Sequence, residues 1–144
     1  MAITGTEGLA LLFGRLLFGG VIIFTGLNHF IQTDDMTGYA EYKGLPAPKM
    51  GVLLSGVLLI AGGLGITLGV LPVVSAVVLA GFLVASAVIF HDFWAVPAED
   101  QQTEITQFLK NIALAGGAII IAAIGPYCVV DRGGIIVLSP WGER

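Results

Sequence analysis

The chain contains two histidines, and each ends a long apolar run. His29 follows Asn28 at the end of the first run, and His91 opens the stretch His91-Asp92-Phe93-Trp94 at the end of the third. The next run carries Lys110-Asn111 about one and a half turns past its start. Imidazole and ammonium groups donate hydrogen bonds, and imidazole moves protons near neutral pH. Carboxylates accept hydrogen bonds, and aromatic rings pack on flat ligands. Together these groups suit a ring whose carbonyls take up protons on reduction, which is the chemistry of a quinone head group. In that reading His91, His29 and Lys110 donate, Phe93 or Trp94 packs, and Asp92, Asn28 and Asn111 complete a polar binding set. A plainer reading uses the same residues as a hydrogen-bonded plug that fixes helix ends, with Asp92 paired to Lys110 and Trp94 anchored at an interface. A metal held by His29, His91 and Asp92 is disfavoured, because adjacent residues on a helix point about 100° apart. No metal ligands are assigned.

The runs that carry these residues require lipid as their solvent. Of the 144 residues, 11% are charged and 56% hydrophobic, and the mean hydropathy is +0.96. A soluble chain this short cannot cover so much apolar surface. Gly51 to Phe90 contains no Asp, Glu, Lys, Arg or His. A helix crosses the hydrocarbon core with about 20 residues, so this stretch holds two spans, with a tight turn near Gly69-Val70-Leu71-Pro72. The sequence predicts an all-α protein: a four-transmembrane-helix bundle of up-down topology with both termini on the same side. The spans fall at about residues 8–31, 50–69, 72–94 and 106–130 of a single membrane domain covering 1–144. The runs lack the alternation of barrel strands. Up-down topology brings the ends of spans 1 and 3 and the start of span 4 to one membrane face, and the polar residues converge there.

Other features fit this frame. Arg15 is a buried ionisable residue within span 1, and such residues usually face the bundle interior. It shares a helix face with Gly19, Ile22, Gly26 and His29. A snorkelling contact with Asp131 or a lipid phosphate would satisfy it. Gly51, Ser55, Gly62, Gly65 and Gly69 form a stripe of small residues that suits close helix packing. Between spans 1 and 2, Asp35 or Thr37 is placed to cap a short helix ending at Gly44, with Pro46 and Pro48 blocking its continuation. Glu99, Asp100 and Glu104 suit the N-terminal end of the fourth span.

The segments "GRLLFGGVIIFTGLNHF", "GLPAP", "HDFW" and "FLKNIALAGG", in that order from Arg15 through Gly117, resemble the DoxX family of small four-helix membrane proteins. The resemblance implies a multi-pass protein of the cell membrane. It also implies diverse roles, since members include subunits of a thiosulfate:quinone oxidoreductase and membrane partners in redox-stress complexes.

Several functions are excluded or limited. The sole cysteine, Cys128, allows no internal disulfide and no CxxC motif. No P-loop, nucleotide fingerprint or CxxCH haem motif occurs. A net charge of −4 with six basic residues leaves no basic patch for nucleic acid. No cleaved signal peptide is apparent at the start, and loop charges do not fix the orientation. The expected partners are the lipid bilayer and other protein subunits or further copies of the chain. The expected function is that of a subunit in a membrane redox system, contacting quinone or a redox partner. It is at most a non-autonomous part of a quinone-linked oxidoreductase, with no covalently bound cofactor. The alternative is a non-catalytic anchor or receptor that binds a partner protein through the loop 33–49.

Overall fold

The structure, a computed structural model, describes residues 5–125. They form five helices: α1 (Gly5–Ile31), α2 (Thr33–Tyr42), α3 (Pro48–Leu68), α4 (Pro72–Phe90) and α5 (Ala98–Ile124). Four of these are long and apolar enough to cross a membrane, and α2 is the short extra-membrane helix. The described residues contain no strand. The shortest candidate span, α4, has 19 residues, about 28 Å at 1.5 Å per residue, which matches the hydrocarbon core.

Chain breakers set most of the boundaries. Pro48 and Pro72 sit in the first turns of α3 and α4, where a missing backbone N–H costs nothing. Gly69 ends α3 in the left-handed region at φ 75°, and its N–H donates to the Ile66 carbonyl. Leu71, at φ 48°, completes the turn into α4. The loop helix α2 begins at Thr33, earlier than either expected cap, and Gln32 at its N-cap makes no side-chain capping bond.

Two ends differ from the sequence expectation. α4 stops at Phe90 rather than 94, because His91 leaves helical geometry (φ −118°, ψ 49°) and tight turns follow, up to Pro97. α5 starts at Ala98 rather than 106. Its first two turns are polar, so hydropathy misses them. Glu99 and Asp100 lie in the first turn, where carboxylates favour the helix N-terminus. The expected end of span 4 at 130, and Asp131 as a partner for Arg15, fall outside the described residues.

Successive membrane helices pack antiparallel. A Cβ added at Gly19 would approach the Gly63 carbonyl oxygen to 2.8 Å, and one at Gly26 would approach the Gly56 carbonyl oxygen to 2.9 Å. Thus α1 lies backbone-to-backbone on α3. On another face of α3, Gly62 receives Leu79 and Gly65 receives Ser75 from α4. The single expected stripe is therefore two: Gly56 and Gly63 toward α1, and Gly62 and Gly65 toward α4. Gly51 lies outside both. Ile22, Leu59, Ile66, Leu79, Leu83, Ala115 and Ala118 form the buried core. Leu9, Phe13, Phe24, Leu54 and Val77 are more than half exposed on the outside, as lipid-facing positions require.

Candidate functional site

The polar residues gather where the ends of α2, α4 and α5 meet. His91 is the C-cap of α4 and keeps one helical bond, from its N–H to the Ala87 carbonyl. Leaving the helix there swings its ring toward α5. Its Nδ1 lies 2.8 Å from Glu104 Oε2. The two side chains are 20% and 16% exposed, and among the described residues Nε2 has no partner.

α2 supplies the rest of the junction. Tyr39 and Lys43 stand one turn apart on the same face of α2. The Tyr39 hydroxyl donates to the Phe90 carbonyl at 2.7 Å and lies 3.4 Å from Glu104 Oε1. The carbonyl it meets is one of the unpaired groups at the end of α4. Lys43 pairs with Asp92, and its ammonium sits 5.6 Å from the Tyr39 ring centroid. Burial of Lys43 opposes its charge, but Asp92 and Tyr39 prevail and raise its pKa above the ordinary lysine value. The hydrogen bond from Lys43 holds Asp92 below the ordinary carboxylate value. Burial, then the Glu104 charge, raises the Tyr39 phenol.

Beside this network lies an aromatic cluster. Phe93 packs edge-on against Trp94 and Phe108, with centroids 5.0 and 5.4 Å apart. Trp94 is 57% exposed.

The remaining candidates lie elsewhere. Lys110 does not pair with Asp92; it is exposed on α5 and bonds to Gln107 on its own helix. Asp92 lies past the end of α4, where α2 brings Lys43 to it first. His29 bonds through Nδ1 to the Thr25 carbonyl at 2.9 Å, and its Cβ packs beside Gly56. Among the described residues no hydrogen bond or ion pair joins Asn28 or His29 to the junction. Asn111 is buried on α5, two turns from Glu104. Arg15 donates from Nε to the Ile66 carbonyl at 2.7 Å and lies against Gly69. A cation at the C-terminal end of α3 answers its unpaired carbonyls and its dipole. Among the described residues no three His, Cys, Asp or Glu side chains converge to hold a metal ion.

Sequence reasoning missed Lys43 and Glu104 as partners. The one-turn spacing of Tyr39 and Lys43 marks a face for α2. Glu104 is seven residues before Asn111, on the same face of α5, which was the available signal for its inward direction.

The DoxX family model matches residues 10–92, more than half the chain. The chain belongs to the DoxX family. It is 25% identical over 123 residues to the inner membrane protein YphA of Escherichia coli K12, covering 85% of this chain and 88% of that protein. It is 30% identical over 122 residues to the inner membrane protein YqjF of the same organism, covering 83% and 87%. No solved structure matches. With four apolar helices of spanning length, this DoxX-family chain is a multi-pass membrane protein. The family match ends at Asp92, so Glu104, Lys110 and Asn111 lie beyond it.

Proposed function

We propose that this chain is a membrane subunit of a redox system and that it presents His91 to a quinone head group at the end of α4. The observation that carries this reading is the His91–Glu104 couple. Glu104 takes the Nδ1–H and fixes the ring, so the unpartnered Nε2 is the position that can work on a ligand. When the imidazole is protonated, Nε2–H can donate to a quinone carbonyl, and Glu104 stabilises the imidazolium. Delivering that proton to the reduced ring leaves neutral His91 still bonded to Glu104. Trp94 and Phe93 offer an apolar wall beside it. The two electrons of a quinone reduction come from a partner subunit in this reading, because no redox motif occurs in the sequence. Residues 1–144 act as one membrane domain. In this reading all four apolar helices cross, and both termini lie on one side of the membrane.

A second reading rests on α2. Tyr39 and Lys43 pin one side of this helix, while Asp34, Asp35, Gly38, Glu41 and Tyr42 are exposed on it. That acidic face suits a basic partner protein, which would make the chain an anchor or receptor acting through the loop 33–49.

Co-purification from native membranes in mild detergent separates the two readings. Wild type should retain a quinone, and folded His91→Ala should lose it by roughly tenfold or more, the effect of a charge-assisted hydrogen bond of about 1.5–3 kcal/mol. Equal quinone in both samples would sink the first reading. A partner protein with no quinone in either sample would support the second.

A further inference from the structure

The five helices fall into two bodies joined by one short turn. α1, α2 and α3 follow one another, and the chain crosses to α4 and α5 through Gly69, Val70 and Leu71. Within the first body α1 and α3 touch backbone to backbone at Gly19–Gly63 and Gly26–Gly56. Within the second, the end of α5 rests on the start of α4, where a Cβ at Gly125 would meet Val73 at 2.9 Å. Between the bodies the close approaches are of another kind. Leu79 lies on Gly62 and Phe18 lies on Gly117, and these are side chains that can withdraw. Beside the turn one face stays open: a cleft of about 490 Å³ separates α3 from α4, with Leu58, Gly62, Leu68, Leu71, Val74 and Val78 among its walls. Core side chains of both bodies also meet. In lipid, however, apolar faces have no hydrophobic drive to stay together, so packing and polar bonds decide.

The polar bonds come from α2. This helix is fastened to α3 by a stiff joint. Gly44 closes it at φ 74°, the Leu45 N–H donates to the Ala40 carbonyl, and the Leu45 side chain reaches Gly51 of α3. Pro46 and Pro48 fix their own backbone. α2 therefore moves with α3. Three polar contacts then cross from α2 to the second body. The Tyr39 hydroxyl donates to the Phe90 carbonyl at 2.7 Å and lies 3.4 Å from Glu104 Oε1, and Lys43 pairs with Asp92. All three lie at the end of α4 away from the turn. Glu104 gives its other oxygen to His91, so the residues that tie the bodies also touch the His91 couple.

We propose that α2 is a clasp. Tyr39 and Lys43 hold the α4–α5 body against the α1–α3 body at the His91 end, and their release lets the two swing apart about Gly69–Leu71. A turn of a few residues is enough to absorb such a swing. Opening exposes the His91–Glu104 couple to the bilayer, which on the reading above regulates access of a quinone. The motion itself needs no quinone.

The test is double electron–electron resonance on the full chain in quinone-free bilayers, in a Cys128→Ser background. One spin-label pair, Met50→Cys with Leu109→Cys, joins exposed positions of the two bodies toward the clasp. A second, Leu68→Cys with Ile120→Cys, joins exposed positions toward the turn. Tyr39→Phe combined with Lys43→Gln should add a longer distance at the first pair, raising the open-to-closed ratio about tenfold or more. The second pair should keep its wild-type distance. Lys43→Arg alone should stay closed. So should Gln101→Ala, which removes a bond to Phe93 inside the second body. An unchanged first pair in the double variant overturns the proposal. Equal lengthening at both pairs also overturns it, since that is general loosening and no hinge. A clasp that opens in a protein that retains no quinone would leave this proposal standing and sink only the redox reading.

Discussion

Lys43 and Asp92 join α2 to the end of α4, and their titrations set when that join holds. The folded Asp92 pKa lies below its ordinary value, so its contribution is present above that value and is lost as pH falls through the depressed one. The folded Lys43 pKa lies above its ordinary value, so its contribution is present below that value and is lost as pH rises through the raised one. Across about pH 5 to 8 both are intact. Hydrogen-exchange protection of the α2 amides, corrected for intrinsic rates, should therefore stay flat over that range in wild type. Asp92→Asn should lower it throughout, and equal protection in the two proteins would show that the pair does not hold α2. The sequence made the junction legible only at His91 and Asp92, which follow an apolar run; Tyr39, Lys43 and Glu104 lie outside such runs, and the expected Lys110 and His29 bond on their own helices instead. It did not make the pairing legible. Asp92 has two lysines within topological reach, and the choice of Lys43 depends on where α2 docks and where α4 stops. The departure of His91 from helical geometry, which aims its ring at Glu104, has no residue signal beyond Pro97 six positions on.

At the level of helices, apolar run length and the prolines made the three boundaries at Ile31, Pro48 and Pro72 readable to within a few residues. The start of α5 was hidden because its first turns extend beyond the apolar run, and polar helix carries no hydropathy signal. Small-residue spacing announced close packing of α3 but not its division between neighbours. Gly62 and Gly63 are adjacent, yet one receives Leu79 of α4 and the other Ile23 and the Gly19 backbone of α1. Backbone cannot withdraw as a side chain can. Gly63→Leu should therefore force α1 from α3 and cost about 1–3 kcal/mol or more by overpacking. Gly20→Leu, on the same pair of helices but with no atom within 4 Å of its Cβ position, should be nearly neutral. Thermal unfolding in a mild detergent compares them, and equal melting of the two variants would contradict the assigned contact face.

For the molecule as a whole, helix order and membrane sidedness are distinct questions. Lys43 and Lys49 on one face and Arg132 and Arg144 in the tail divide the basic residues evenly, so the positive-inside rule gives no direction. Packing does constrain parity. The contacts Gly19–Gly63, Gly62–Leu79 and His91–Glu104 run antiparallel between successive membrane helices. α2, with 10 residues, is only about 15 Å long and too short to cross. On the up-down reading proposed above, four crossings return the chain to the side from which it started. Reporter fusions at the N-terminus and after Arg144 should therefore give the same sidedness. A small tag inserted at Gly38, exposed on α2 with open space around it, should give the opposite one. Opposite signals from the two termini would require an odd number of crossings. The Gly38 tag also reports the side on which His91, Glu104, Tyr39 and Lys43 meet, so this one experiment bears on the topology and on the sidedness of the site together.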